Sequence, residues 1–281
     1  MDDELPCGAD DLSGSLRLTP IGPGEHEARC LSGRSGRIYG GQLLAQGFLA
    51  AVTDPRPVGP DFSYSLHAHF LNAGTPQQPI RLRTVSLRRS TRFATTRVDI
   101  GQAAVQLATL TVSAHRDEKG ASHAPLAPAV LTSPDTALPA RGGPIPALDA
   151  PIRQPFDLRH AALKSVIGSD GRPQVGLWLR LRRAPRGPVE QVAALIWASD
   201  FALTRVADVE HEHRPGTRQA ASLDHAMWIH QAVDLSQWHL YVLSSPVYRG
   251  GLALSAGRIY GAGGELVASV TQESLLRRVV S

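Results

Sequence analysis

The chain has 281 residues, enough for one large domain or two of ordinary size at roughly 100–200 residues each. Apolar residues make up 42% and charged residues 19%, which supports a sizeable core and argues against wholesale disorder, and no apolar run approaches the roughly 20 residues needed to cross a bilayer. The pI is 9.4 but the net charge is only +4, and the arginines stand singly between apolar residues with no nucleic-acid motif, so neither membrane nor nucleic acid is an expected partner.

The amino terminus, MDDELPCGADD, is acidic and lacks the basic-then-apolar order of a signal peptide, so the expected compartment is the cytoplasm. Cys7 and Cys30 have no CxxC partner and no metal-ligand pattern, and both read as ordinary thiols. A lead-in strand is expected within 15–31. At GGQLLAQGFLAAV (40–52), Leu43, Leu44, Phe48 and Ala51 recur at helical spacing with no proline among them, which predicts a helix. The Gly40-Gly41 pair at its start is neither a dinucleotide fingerprint nor a phosphate loop. It either lets a ligand approach the backbone or permits tight packing of the helix. Gln42 follows directly. Four strands are predicted next, over 62–71, 79–88, 93–102 and 104–114, with the apolar-polar alternation of half-buried sheet.

Residues 116–157 are rich in Pro, Ala, Ser and Gly and read as a long, partly ordered connector rather than part of a core. Beyond them the plan repeats. A lead-in strand over 174–182 precedes a long apolar helix over 189–206, and four strands follow over 219–231, 238–247, 252–261 and 265–277, the last two joined by a turn at Gly263-Gly264. Short words recur as well, SLHA at 65–68 against SLDHA at 222–226. A helix wrapped by an antiparallel sheet, present twice, predicts an α+β fold in which the two sheet edges join. The expected division is 15–115, the connector 116–157, and 158–281.

Several polar clusters carry bland readings. Asp224 and His225 are adjacent on a strand and point to opposite faces, so a structural role is expected rather than an acid–imidazole pair. The HEH at 211–213 lacks a third ligand at telling spacing and reads as solvated charge, so no metal is expected. Ser244-Ser245-Pro246 is not a nucleophile elbow.

The stretches RIYGGQLLAQ, SLHAHFLNAGTPQQPI, RFATTRV, WASDFAL, ASLDHAMWIH, WHLYVLSSP and LVASVTQES, in that order, resemble the acyl-CoA thioesterase II (TesB-like) family, which has a double hotdog fold. The likeness runs from about residue 15 to 278, apart from the connector. It implies hydrolysis of fatty acyl-CoA without a cofactor or metal, by water that an Asp, a Ser or Thr, and a Gln position and activate. Carried over by motif, these are Asp200 in WASDFAL, Ser222 in ASLDH and Gln272 in SVTQES. Gly40, Gly41 and Gln42 are the expected substrate-binding residues, and the resemblance implies a homodimer or homotetramer. The sequence departs from the family in three places. RRSTRFATTRV lacks the usual Asp-Gly-Arg, ADVEHEHRPG (207–216) replaces a Pro-His-Gly region, and Glu273-Ser274 stands for the usual Glu-Gly. A hotdog enoyl-CoA hydratase would carry His five residues after the Asp, and this chain does not. A non-catalytic acyl-CoA-binding protein is the other alternative.

Overall fold

The computed structural model of the protein describes residues 12–32, 36–53, 62–140, 151–168, 171–209 and 218–278. The first half contains β1 (Thr19–Gly22), β2 (Glu25–Ala28), α1 (Gly40–Val52), β3 (Phe62–Phe70), β4 (Ile80–Arg89), β5 (Phe93–Gln102) and β6 (Val105–Arg116). The second contains β7 (Phe156–Ala161), β8 (Gln174–Leu181), α2 (Pro188–Ser199), the single turn α3 (Leu203–Val206), β9 (Arg218–Ser222), β10 (Asp224–Ile229), β11 (His239–Arg249), β12 (Leu252–Tyr260) and β13 (Leu266–Arg278).

All the strands join one antiparallel sheet in the order β1-β2-β4-β5-β6-β3-β10-β13-β12-β11-β8-β7, with β9 also on β13. Read outward from the β3–β10 seam, each half repeats the other's order, which is the duplicated plan expected from the sequence. The seam pairs Asp224 with His69 through to Ile229 with Tyr64, so two edges that would otherwise be exposed complete each other. Alternation sorts the faces: Tyr64, Leu66 and Ala68 are buried while His67 and His69 are exposed.

Both helices lie on the inner face and pack against each other. Every residue of α2 from Gln191 to Ser199 is buried, so it is apolar on all sides, as a core helix must be. One continuous apolar cluster holds residues of both halves, including Phe48, Leu66, Leu110, Trp197, Leu243 and Val270. The α+β double hotdog is therefore a single body with a shared core. In the stretch read as a connector, residues near 130–140 run along β7. Ala140 N–H donates to Leu158 O at 2.9 Å, His160 N–H to Leu138 O at 2.9 Å, and Ala137 and Ala140 are buried. That cover occupies what would be the free edge of the sheet.

Four elements differ from the expectation: the lead-in strand within 15–31 is the β1–β2 hairpin, β7 is a strand where none was expected, and two longer elements are interrupted. The helix over 189–206 is broken, because α2 stops at Ser199, Asp200 is its C-cap, and Ala202 sits at φ +69° in the left-handed region before α3 begins. The strand over 219–231 is split at Leu223, between β9 and β10. The recurring words also face differently: His67 of SLHA is exposed and His225 of SLDHA is buried. Both breaks lie at the candidate site.

Candidate active site

The C-terminus of α2 presents carbonyls with no partner inside the helix. Here Tyr39, just before α1, donates its hydroxyl to Trp197 O at 2.8 Å and Tyr241 of β11 donates to Ser199 O at 2.6 Å, while Ser199 Oγ lies within hydrogen-bond distance of both Ile196 O, at 2.8 Å, and the His225 ring, at 2.9 Å. With its end held this way, α2 points Asp200 at the start of α1. The Gly41 N–H donates to Asp200 Oδ2 at 2.9 Å, so a helix N-terminus faces the carboxylate. The glycine pair makes this approach possible. A Cβ on Gly41 would lie 2.5 Å from Trp197 O, and one on Gly40 would lie 2.9 Å from Asp200 Oδ2. Of the two readings open from the sequence, tight packing thus accounts for Gly41, with α2 as the neighbour. Gly40 in addition lines the cavity described next.

A cavity of about 400 Å³ opens beside Asp200. Its polar wall includes Asp200, Thr204 and Ser222, and its apolar wall includes Leu43, Phe70, Leu71, Phe201 and Leu223. Gln272 is fully buried behind that wall. Its Nε2 donates to Ser222 Oγ and to Thr204 Oγ1, both at 3.0 Å, with Ser274 Oγ at 3.3 Å. Its Oε1 lies 2.7 Å from His225 Nδ1, and His225 Nε2 lies 2.9 Å from Ser199 Oγ.

The break at Leu223 makes this arrangement possible. β9 pairs Ser222 with Ser274 and β10 pairs Ala226 with Thr271, so Leu223, Asp224 and His225 stand opposite only Gln272 and Glu273. This is a β-bulge. In a regular strand, residues 222 and 225 would face opposite sides of the sheet. The extra residue brings both to the face of Gln272. Asp224 completes the bulge by accepting the Glu273 N–H at 2.7 Å, a backbone donor that the interrupted ladder would strand.

Burial pushes the Asp200 carboxyl up from 3.8 to about 7, against the opposing pull of the Gly41 N–H and the Gln272 amide. Burial pulls His225 down to about 4, outweighing the Gln272 amide and the Asp224 charge, so its ring is neutral near pH 7. Burial and the Asp200 charge push Tyr39 and Tyr241 well above their ordinary range, and both keep the protons they donate to α2. Arg37, Arg153 and Arg205 also line the cavity, and Arg205 is paired with Asp208 at 3.4 Å.

The structure therefore brings Asp200, Ser222 and Gln272 together, with Gln272 reaching the cavity through hydroxyls it holds. Gly40 and Gly41 are at the site. Gln42 turns away: its amide bonds to Leu31 N–H, Ser15 O and Arg29 O, and ties the segment before α1 to that helix. Cys30 is buried, and its thiol is pushed up to about 12 by burial. Among the described residues, no three His, Cys, Asp or Glu are grouped to hold a metal. Cys7 and the HEH of 211–213 lie outside the described residues. Sequence reasoning missed Thr204, hidden inside a helix that was drawn too long, and it missed the side-chain partners of His225.

Residues 32–115 match the family profile described as the acyl-CoA thioesterase N-terminal domain, and residues 128–276 match that of the C-terminal domain. Acyl-CoA thioesterase 2 of Haemophilus influenzae is 29% identical over 86% of this chain and 88% of its own length. Acyl-coenzyme A thioesterase 8 of Mus musculus is 28% identical over 95% and 92%. Among solved structures, an acyl-CoA thioesterase II, TesB2, from Mycobacterium marinum superposes with a TM-score of 0.82 at 31% identity, covering 96% of this chain and 99% of that one. With both halves matched in order along one chain, the protein belongs to the acyl-CoA thioesterase family.

Proposed function

We propose that the protein hydrolyses fatty acyl-CoA to free acid and CoA, with Asp200 as general base and Ser222, Thr204 and Gln272 as the groups that position its water. One observation carries this reading: a buried carboxylate whose pKa is raised to about 7 stands on a cavity wall next to two hydroxyls held by one amide. An ordinary carboxylate is a weak base at neutral pH, whereas one titrating near 7 is matched to accepting a proton there.

The Gly41 N–H occupies Oδ2 of Asp200, so Oδ1 is the atom offered to water. In the attack, the water loses a proton to Asp200 and its oxygen bonds to the thioester carbon. The carbonyl π electrons move onto the oxygen. When that oxyanion collapses, the C–S bond breaks and the thiolate takes the proton back from Asp200. The oxyanion needs a donor. Gln42 and Leu43 N–H both bond Tyr39 O and Gly41 N–H is taken by Asp200, whereas Gly40 N–H, at the same helix start, has no acceptor among the described residues. Gly40 N–H is the donor we assign to it. The guanidinium groups of Arg37, Arg153 and Arg205 suit the phosphates of CoA.

Release of free thiol from saturated acyl-CoAs of increasing length, by wild type and Asp200→Asn, tests the reading. Turnover by wild type that falls about 100-fold or more in the variant is the expected result. Equal turnover in both would remove Asp200 as base. Binding of acyl-CoA without turnover on any chain length would make the protein a carrier.

A further inference from the structure

The Gln272 amide has two ends and only one orientation that serves the site, and the residues behind it decide which. On one side it meets the hydroxyls of Ser222, Thr204 and Ser274, each of which can donate or accept. On the other it meets a single ring nitrogen, Nδ1 of His225, at 2.7 Å. The hydroxyls impose no direction, so the ring and the Asp200 carboxylate must.

The carboxylate demands a donor. Nε2 donates to Ser222 Oγ and Thr204 Oγ1, which share the cavity wall with Asp200, whereas a reversed amide would turn a carbonyl oxygen toward a negative charge. With Nε2 toward the cavity, Oε1 faces His225, and Nδ1 must then carry hydrogen. The ring is buried and neutral, so its other nitrogen, Nε2, must accept. Its partner is Ser199 Oγ at 2.9 Å, a hydroxyl that can turn its proton to the ring or to Ile196 O. The opposite tautomer would donate from Nε2 to Ser199. It would leave Nδ1 bare, draw the amide nitrogen back to the ring, and bind the Ser222 and Thr204 protons to Oε1, away from the cavity.

We propose that His225 is a tautomer lock: its Nδ1–H, facing Oε1 at 2.7 Å, fixes the Gln272 amide with its nitrogen toward Asp200, Ser222 and Thr204. His225 is then a positioning residue that never meets substrate. This inference rests on the proposed role of Asp200 only for its kinetic readout.

Two histidine replacements separate donor position from packing. Asn places its amide nitrogen near the site of Nδ1, and Gln places its own near Nε2. His225→Asn is expected to keep kcat within about threefold of wild type, whereas His225→Gln loses about tenfold or more with little change in KM. Without the amide N–H beside Asp200, the acid limb of the pH profile also moves to higher pH in His225→Gln. Tyr39, Tyr241, Arg37, Arg153 and Arg205 face the same region, but the tyrosines stay protonated through that range, so the limb reports Asp200. Equal loss in both variants, or loss in neither, would overturn the lock.

Nitrogen-15 NMR of the 11 histidines in the wild-type chain gives a readout free of turnover. The His225 signal, identified by its absence from His225→Asn, should show the Nδ1–H tautomer. If His225→Asn fails to fold, absence from His225→Gln identifies the same signal. An Nε2–H ring at that position would sink the proposal even if thioester hydrolysis is found, and an Nδ1–H ring would support it even if none is.

Discussion

Asp200 is placed where its charge is penalised, and that placement has consequences for rate and for stability that run in opposite directions. In the proposed role of base it must be ionised, so kcat/KM should rise with pH along a limb centred near 7, measured by thiol release across pH 5 to 9. As a buried group with a raised pKa, it binds its proton more tightly in the folded chain than in the unfolded one. Its contribution is favourable below about 4 and is lost as pH rises through about 7, an amount on the order of a few kcal/mol. Asp200→Asn removes the charge and keeps an acceptor for Gly41. It should therefore raise the melting temperature relative to wild type at pH 8 and have little effect at pH 4, as followed by thermal denaturation. Thr204 supplies a second test at this scale. Thr204→Val keeps the shape and removes one of the three hydroxyls bound to Gln272, and kcat should fall about three- to tenfold, with partial recovery in Thr204→Ser. The trio itself was legible only through resemblance, since a helix Asp, a strand Ser and a buried Gln carry no individual signal. Thr204 was not legible, because one left-handed residue, Ala202, leaves no mark in an apolar run.

The helix α1 and the strands β3 to β6, β8 and β11 to β13 were readable from period alone, since burial on one face leaves a pattern, whereas β7 was not read as a strand. What period cannot reveal is a single extra residue. The bulge at Leu223–His225 sits inside a run whose composition is ordinary for a strand, yet it decides which way Ser222 and His225 face. The end of α2 was hidden for a related reason: its carbonyls are satisfied by tyrosines distant in sequence, so no local cap announced the stop. The α1–α2 crossing gives the test at the level of elements. Gly41→Ala would force a Cβ within 2.5 Å of Trp197 O, and backbone cannot yield as a side-chain tip can. We expect a loss of about 1–3 kcal/mol in denaturant unfolding and a steep loss of kcat, because the same shift carries Asp200 out of place. Ala substitution of Gly120, which has no neighbour within 4 Å, should do neither.

At the scale of the whole molecule, the repeat in the sequence corresponds to a sheet that reads the same in both directions from its seam, and the core is common to both halves. The recurring words did not mark equivalent positions, since their histidines face opposite ways. The cavity draws on both halves too. Arg37 comes from the first, Arg153 from the approach to β7, and Arg205 from α3. If these read the nucleotide end of CoA, Arg37→Ala should raise KM for acyl-CoA about tenfold and leave KM for the matching acyl-N-acetylcysteamine, which has no phosphates, unchanged. Steady-state kinetics on the two substrates would measure it.

The Gly41–Asp200 hydrogen bond ties the start of one half's helix to the end of the other's. A nascent chain that has released only its first half has the donor and no acid, and a second half folding alone would have the acid and no donor. Reactivity toward water and thioesters then becomes a property of the completed protein, withheld until the last docking step of its synthesis.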